Sequence, residues 1–141
     1  MKKEQYEKIV KEEGDYYEFE AFGLHCVMKR NSSWCGYVGV PKDSRLDGKS
    51  YSWDTTSENG LSKLEEAITN INVHGGLTYS GRLIGDVWYF GFDCSHFGDL
   101  NGYDLKFKIE TENCVYRDKD YVIKETTRLA EQIKEIIELK L

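Results

Sequence analysis

The stretch WYFGFDCSHFGD, residues 88 to 99, combines five aromatic side chains with two Asp and one His. Its first six residues alternate in character, which is typical of a β-strand with two different faces. Trp88, Phe90 and Phe92 share one face, and we expect that face to lie in the core. The other face holds Tyr89, Gly91 and Asp93. The stretch therefore predicts a sheet with one buried face and with Asp93 on an open face.

A second stretch, VHGGLTYSG at residues 73 to 81, comes shortly before this strand. The intervening IGD, residues 84 to 86, is typical of a tight turn and predicts a hairpin of strands at 77 to 83 and 86 to 93. The first of these strands places Leu77, Tyr79 and Gly81 on one face, and Thr78, Ser80 and Arg82 on the other. The sequence does not decide which set lies beside Asp93, but Gly, Tyr, Thr or Ser and Asp together are typical of a pocket floor.

The rest of the chain predicts an α+β fold in a single domain, residues 1 to 141, with an antiparallel sheet packed by N-terminal, central and long C-terminal helices. The long segment 41 to 60 holds the single Pro and many turn formers, and such loops often form a lid or a functional surface. The predicted helices cover residues 3 to 13, 61 to about 72, and 121 to 141, and the remaining predicted strands cover 16 to 22, 25 to 30 and 34 to 40.

Composition excludes several classes of function. A formal net charge of −6 argues against a polymeric nucleic acid as partner, because such proteins carry stripes of Lys and Arg. We expect a soluble intracellular protein without a membrane partner, since the chain has neither a long apolar run nor the apolar centre of a signal peptide. Its four cysteines lack CxxC spacing, so we expect reduced, mostly buried thiols and no metal site.

Four motifs together resemble a small family of bacteriophage-encoded proteins: WCGYVGVP (34 to 41), VHGGLTYSG (73 to 81), WYFGFDCSHFGD (88 to 99) and YRDKDYVIKETTRLAEQI (116 to 133). The chain differs from the family pattern in NSS before Trp34 and KIETEN before Cys114. The family is similar to the Sequestin-type anti-Thoeris sponge proteins, which bind the cyclic ADP-ribose signals of bacterial TIR-domain defence systems. The resemblance implies a small-molecule binder that acts in the cytoplasm of an infected bacterium, without a cofactor.

A cyclic ADP-ribose needs a surface for base stacking, acceptors for ribose hydroxyls and donors for phosphate oxygens. Candidates for stacking are Trp34, Tyr37 and Tyr79, and candidates for the ribose are Asp93 and Asp99. The backbone of His74, Gly75 and Gly76 offers N–H groups to a pyrophosphate, and Thr78 is a candidate for the pocket floor. Charged bonds to phosphate are assigned to His74, His96, Arg82 or Arg117.

Each assignment has a structural alternative. The core is favoured over a ligand surface for Trp34 and Trp88, because aromatic side chains in strands usually pack inward, and His74 and His96 also suit hydrogen-bonded structural roles. Gly75 and Gly76 also suit the end of the central helix. Arg117 also suits the charged start of the last helix.

Three other functions stay open at this point. His74, Asp93, His96 and Asp99 are residue types that bind a metal in hydrolases, although HxH and HxxxH spacings are absent. The acidic, Tyr-rich chain also suits a protein that inhibits a host enzyme by direct contact. A Cys94–His96 nucleophile pair is a weaker alternative. A homodimer, paired through the last helix or a sheet edge, is one way to build a deep pocket.

Overall fold

The computed structural model describes residues 1–53, 59–107 and 111–139. Its helices are α1 (Lys3–Glu13), α2 (Lys63–Thr69), α3 (Gly102–Lys106) and α4 (Lys119–Glu138). Its strands are β1 (Tyr16–Ala21), β2 (Leu24–Arg30), β3 (Trp34–Val40), β4 (Tyr79–Ile84), β5 (Val87–Asp93), β6 (Asp99–Leu100) and β7 (Val115–Tyr116).

Five strands form one antiparallel sheet in the order β1-β2-β3-β5-β4, and β6 pairs in parallel with β7. Hairpins connect β1 to β2, β2 to β3 and β4 to β5. Strand β5 pairs with the central strand β3, and β4 forms one edge of the sheet. The predicted α+β architecture is confirmed. None of the described helices has an apolar stretch long enough to cross a bilayer.

The alternation in β5 sorts its side chains as predicted. Phe90 and Phe92 are fully buried on the side that faces the helices, and Trp88 is half-buried at the margin of the same face. Tyr89, Gly91 and Asp93 lie on the opposite face, where Gly91 pairs with both Tyr37 and Tyr79. One face of the sheet therefore belongs to the core, and the other carries Tyr37, Tyr79 and Asp93 of the predicted site.

Helix α4 lies against β2 and β3 and forms most of the layer above the sheet. Its buried face consists of Val122, Thr126, Leu129, Ala130, Ile133 and Ile136. At Gly36 the helix comes so close that an added Cβ would lie 2.2 Å from Thr126 Oγ1 and 2.6 Å from a ring carbon of Phe92. Glycine at this position therefore determines how closely α4 packs on the central strand.

A polar network joins α1 to the sheet and to the start of α4. Glu13, at the end of α1, accepts hydrogen bonds from Arg30 Nη2 at 2.9 Å and Trp34 Nε1 at 3.1 Å, and also from the Tyr116 hydroxyl. Its second oxygen accepts from the Lys119 backbone N–H at 2.8 Å. Burial by itself raises the pKa of Glu13, but these bonds outweigh it and hold the pKa below its usual range.

The described part of the long loop, residues 41–53, packs against the β4–β5 hairpin on its core face. Leu46 is fully buried, Tyr51 donates its backbone N–H to Ser80 Oγ, and Trp88 Nε1 donates to the carbonyl of Lys49. These contacts place this part of the loop away from the open face and not over it as a lid. Residues 54–58 of the predicted loop lie outside the described residues.

Element boundaries differ from the predictions mainly for short elements. The central helix is shorter than its apolar spacing suggested, because it begins only after the capping residue Ser62 and ends at Thr69. β6, α3 and β7 were not predicted, since elements of two to five residues are too short to show a periodic pattern.

Replacement of Gly36 by Ala should destabilise the protein by about 1–3 kcal/mol, because the added methyl overlaps Thr126 and Phe92. The matched control is Gly81→Ala in the edge strand β4, where the added Cβ meets the hydroxyl end of Tyr79 at 2.8 Å, a group that can move. Urea unfolding of both variants measures the difference. Equal stability of the two variants would contradict the close approach of α4 to β3.

Candidate functional site

Tyrosine and glycine alternate across the face of the sheet that is turned away from the helices. One row across β3, β5 and β4 holds Tyr37, Gly91 and Tyr79, and the next row holds Gly39, Tyr89 and Gly81. The ring of Tyr37 lies over Gly91, where an added Cβ would be 2.4 Å from Cδ1, and the ring of Tyr89 lies over Gly39. Each of these two tyrosines occupies the space left by the glycine opposite, so the face is covered by its own side chains.

An open groove of about 490 Å³ begins at the first of these rows, where β3 starts and β5 ends. Five predicted site residues line it: Tyr37, Thr78, Tyr79, Asp93 and His96. The rings of Tyr37 and Tyr79 meet edge to face, with centroids 5.3 Å apart and planes at 87°. The groove thus combines aromatic surface with a carboxylate, an imidazole and hydroxyl groups.

Asp93 is held in a fixed orientation at the floor of the groove. Its Oδ2 accepts a hydrogen bond from Thr78 Oγ1 at 2.9 Å, and its Oδ1 accepts from the Ser95 backbone N–H at 3.0 Å. His96 Nε2 lies 3.3 Å from the same Oδ1, without the alignment of a hydrogen bond. The carboxylate remains about one third exposed, so its remaining lone pairs can accept hydrogen bonds from a ligand.

Behind the groove, Asp99 forms a buried ionic centre. Its side chain is 1% exposed, and it accepts hydrogen bonds from His74 Nε2 at 2.8 Å, Arg117 Nε at 2.9 Å and the His96 backbone N–H at 3.1 Å. Burial raises the pKa of Asp99, but these three bonds outweigh burial and hold the pKa below its usual range. Asp99 is therefore occupied by protein donors, and this corrects its assignment to ribose hydroxyls.

His74 connects Asp99 to the start of α4. Because the ionised carboxylate of Asp99 can only accept, Nε2 of His74 carries the proton that it donates. In the neutral ring, Nδ1 is then the acceptor for the Tyr121 hydroxyl at 2.8 Å. Both ring nitrogens have protein partners, so His74 has the structural role and is not placed to bind phosphate.

The predicted phosphate cradle at His74, Gly75 and Gly76 is also corrected. The His74 N–H donates to Glu125 Oε1 at 2.9 Å, and the Gly76 N–H donates to the Val73 carbonyl at 2.8 Å. The alternative, a helix end, is wrong as well, because α2 ends at Thr69. Gly75 instead lets the ring of His96 approach the backbone, since an added Cβ would lie 2.2 Å from His96 Nε2.

Three further assignments lie outside the groove. Trp34 is fully buried and its ring is covered by the Arg30 guanidinium at 4.3 Å, so it belongs to the core and offers no stacking surface. Arg117 is held by Asp99 and lies over the ring of Tyr121, away from the groove lining. Arg82 pairs with Asp47 at 2.7 Å near the β4–β5 turn.

Sequence reasoning missed several groove residues. Asn31, Ser33, Cys35 and Ser95 also line the groove, and the hydroxyls of Ser33 and Ser95 are 2.6 Å apart. Ser33 and Ser95 flank the paired ends of β3 and β5, so a correct strand register was the one signal that would have brought them together.

The enzymatic alternatives rested on Cys94 and on four candidate metal ligands, His74, Asp93, His96 and Asp99. Cys94 is 1% exposed, and burial raises the pKa of its thiol well above the ordinary range, which disfavours a thiolate nucleophile. Within the described ranges, no three His, Cys, Asp or Glu side chains are grouped so as to hold a metal ion. His74 and Asp99 form a hydrogen bond with each other instead.

No protein-family model, no curated protein and no solved structure matches this chain. The resemblance to the phage family therefore rests on the four sequence motifs, and it remains a prediction.

Gly75→Ala should displace the ring of His96, whereas Gly76→Ala should not. Both glycines have positive φ, +69° and +81°, so either substitution strains the backbone, by about 1 kcal/mol. Only at Gly75 does the new Cβ meet another residue, since nothing lies within 4 Å at Gly76. The ring resonances of His96 in NMR spectra should shift in the first variant and stay unchanged in the second. Similar spectra for the two variants would contradict this packing.

Asp99→Asn should lower the free energy of unfolding at pH 7 by about 1–3 kcal/mol, because the buried carboxylate loses its charge while its donors remain. The pKa of Asp99 is lowered by folding. Its contribution to the free energy of unfolding is therefore complete above the unfolded pKa of about 4 and is lost as the pH falls further. As the pH is lowered from neutral to acidic, the melting temperature of this variant should therefore fall less steeply than that of the parent. Asp43→Asn, at an exposed position, is the control and should keep the parent profile.

Proposed function

We propose that this chain is a phage anti-defence protein that captures a nucleotide immune signal, a cyclic ADP-ribose isomer made by TIR-domain proteins, and holds it without cleaving it. The proposal places the protein in the cytoplasm of the infected bacterium. It combines the motif resemblance with the groove, whose size suits part of a dinucleotide-like ligand.

One observation carries the proposal: Tyr37 and Tyr79 stand beside a preoriented carboxylate, Asp93, in a single open groove. Tyrosine faces are suited to stacking on a base, which contributes about 1–3 kcal/mol per base. A carboxylate is suited to accept hydrogen bonds from ribose hydroxyls, as acidic residues do in dinucleotide sites.

Binding without turnover agrees with the state of the reactive groups around the groove. The Cys94 thiol is buried, and His74 and Asp99 are bonded to each other, so none of these three groups is placed to attack a ligand in the groove. His96 borders the groove next to Asp93 and is the residue that we assign to contact the ligand's phosphates.

Sequestration requires tight binding. To keep a signal below the threshold of its receptor, the protein needs nanomolar affinity, roughly −12 kcal/mol, and an abundance similar to that of the ligand. The groove is open at one side, so a homodimer that closes it remains part of the proposal.

The direct test mixes the purified chain with cyclic ADP-ribose isomers, removes unbound ligand, denatures the complex by heat and analyses the supernatant by chromatography. Intact ligand, recovered in proportion to protein, is the expected result. A changed product would show an enzyme, and no retained ligand at micromolar protein would refute the proposal.

Asp93→Ala and Tyr79→Ala should each weaken capture, by roughly tenfold or more for the tyrosine, because stacking on a base is worth about 1–3 kcal/mol. Tyr103→Ala, an exposed tyrosine on α3, is the matched control and should bind like the parent. Titration calorimetry measures the affinities, and circular dichroism checks the fold. Normal binding by the Asp93 and Tyr79 variants would place the ligand elsewhere.

A further inference from the structure

None of the described residues that line the groove is Lys or Arg. The lining residues with a carboxylate or an imidazole side chain are Asp93 and His96. The whole chain has a formal net charge of −6, so no long-range positive field compensates. A phosphate placed deep in this groove would meet a carboxylate of the same sign.

The groups that suit phosphate are used elsewhere in the molecule. The backbone N–H groups of His74 and Gly76 have protein acceptors, and Arg117 Nε is bonded to Asp99. Arg82 is paired with Asp47 near the opposite end of the hairpin. His74, Arg82, Arg117 and the N–H groups of His74 and Gly76 are therefore held by protein partners, and of the charged-bond candidates for phosphate His96 alone lines the groove.

The groups that do face the groove suit neutral hydroxyls. The carboxylate of Asp93 has about four lone-pair positions, and the protein uses one on each oxygen, for Thr78 Oγ1 and the Ser95 N–H. The hydroxyls of Ser33 and Ser95, bonded to each other at 2.6 Å, add a donor and acceptors beside it. The lone pairs that the protein leaves open on this fixed, one-third exposed carboxylate suit the adjacent hydroxyls of a ribose, although His96 Nε2 lies 3.3 Å from Oδ1.

We propose that the groove recognises the uncharged ribonucleoside half of its ligand, by the 2′,3′-diol and the base, and leaves the phosphates at its solvent side. Asp93 accepts from the diol, and Tyr37 and Tyr79 contact the base. Among the described groove residues, His96 is the one with an imidazole, and because its Nε2 is buried beside Asp93, Nδ1 is the nitrogen left to meet a phosphate. This inference rests on the proposed function and specifies which part of the signal the site selects.

The test measures, by titration calorimetry, the binding of four probes to the intact chain: adenosine, 2′,3′-dideoxyadenosine, ribose 5-phosphate and choline. Choline is a cation without a base or a ribose diol. Adenosine should bind, and removal of both hydroxyls should weaken binding by about tenfold or more. Ribose 5-phosphate should bind more weakly than adenosine. The affinity for adenosine should change less than about threefold between low and high salt, since no ion pair forms with the ligand.

Asp93→Asn should remove the preference for adenosine over dideoxyadenosine. The amide has an NH₂ donor in place of one carboxylate oxygen, so it has fewer acceptors for the two hydroxyls of the diol. Asp86→Asn, in the exposed turn of the same hairpin, is the control and should keep the preference. Should the Asp93 variant fail to fold, Ser33→Ala provides a second test and should lower the affinity for adenosine without a change for choline.

The outcomes separate this inference from the proposed function. If cyclic ADP-ribose binds but adenosine does not, or if ribose 5-phosphate binds more tightly than adenosine, the inference is overturned while the proposed function stands. If adenosine binds and cyclic ADP-ribose does not, the inference stands and the proposed function fails. Stronger binding of choline than of adenosine would identify a site for cations, and binding of no probe and no cyclic nucleotide would overturn both proposals.

Discussion

The close contact between α4 and β3 at Gly36 is the constraint on which the arrangement of the molecule depends. Because no Cβ separates Thr126 from the strand, the apolar face of α4 packs directly on the sheet and completes the core. The start of α4 is then placed where Lys119 reaches Glu13 and Tyr121 reaches His74. The packing of α4 on β3 thus positions the polar networks around Glu13 and His74. The opposite face of the sheet is left without any of the described helices over it.

That opposite face shows how an antiparallel sheet can cover itself. Tyrosines of β3 and β5 lie over glycines of the neighbouring strand, so these rings stay close to the backbone, with Tyr89 buried and Tyr37 half-buried. The pattern ends at Asp93, where the strand is followed by Ser95 and His96, and the groove opens there. The same glycines that weaken a strand in isolation make space for the aromatic rings that border the site.

Charge is distributed unevenly between the groove and the region behind it. Asp99 binds a histidine and an arginine that would otherwise be available to an anion, and it does so in a buried position where salt screens the ion pairs little. The groove keeps a carboxylate, hydroxyls and aromatic rings. This separation supports the proposal that the groove recognises hydroxyls and a base.

Period-two alternation and helical spacing were enough to predict the sheet strands, the long last helix and the placing of Asp93 opposite Phe92, because these patterns follow from backbone geometry alone. The partners of polar side chains could not be predicted this way. His74, Asp99 and Arg117 were assigned to a ligand, but they bind one another across 18 to 25 residues of sequence. Trp34 was placed among the stacking candidates, yet a buried arginine covers its ring. Local sequence determines which face a residue occupies, whereas only tertiary packing decides whether the protein or a ligand satisfies its hydrogen bonds.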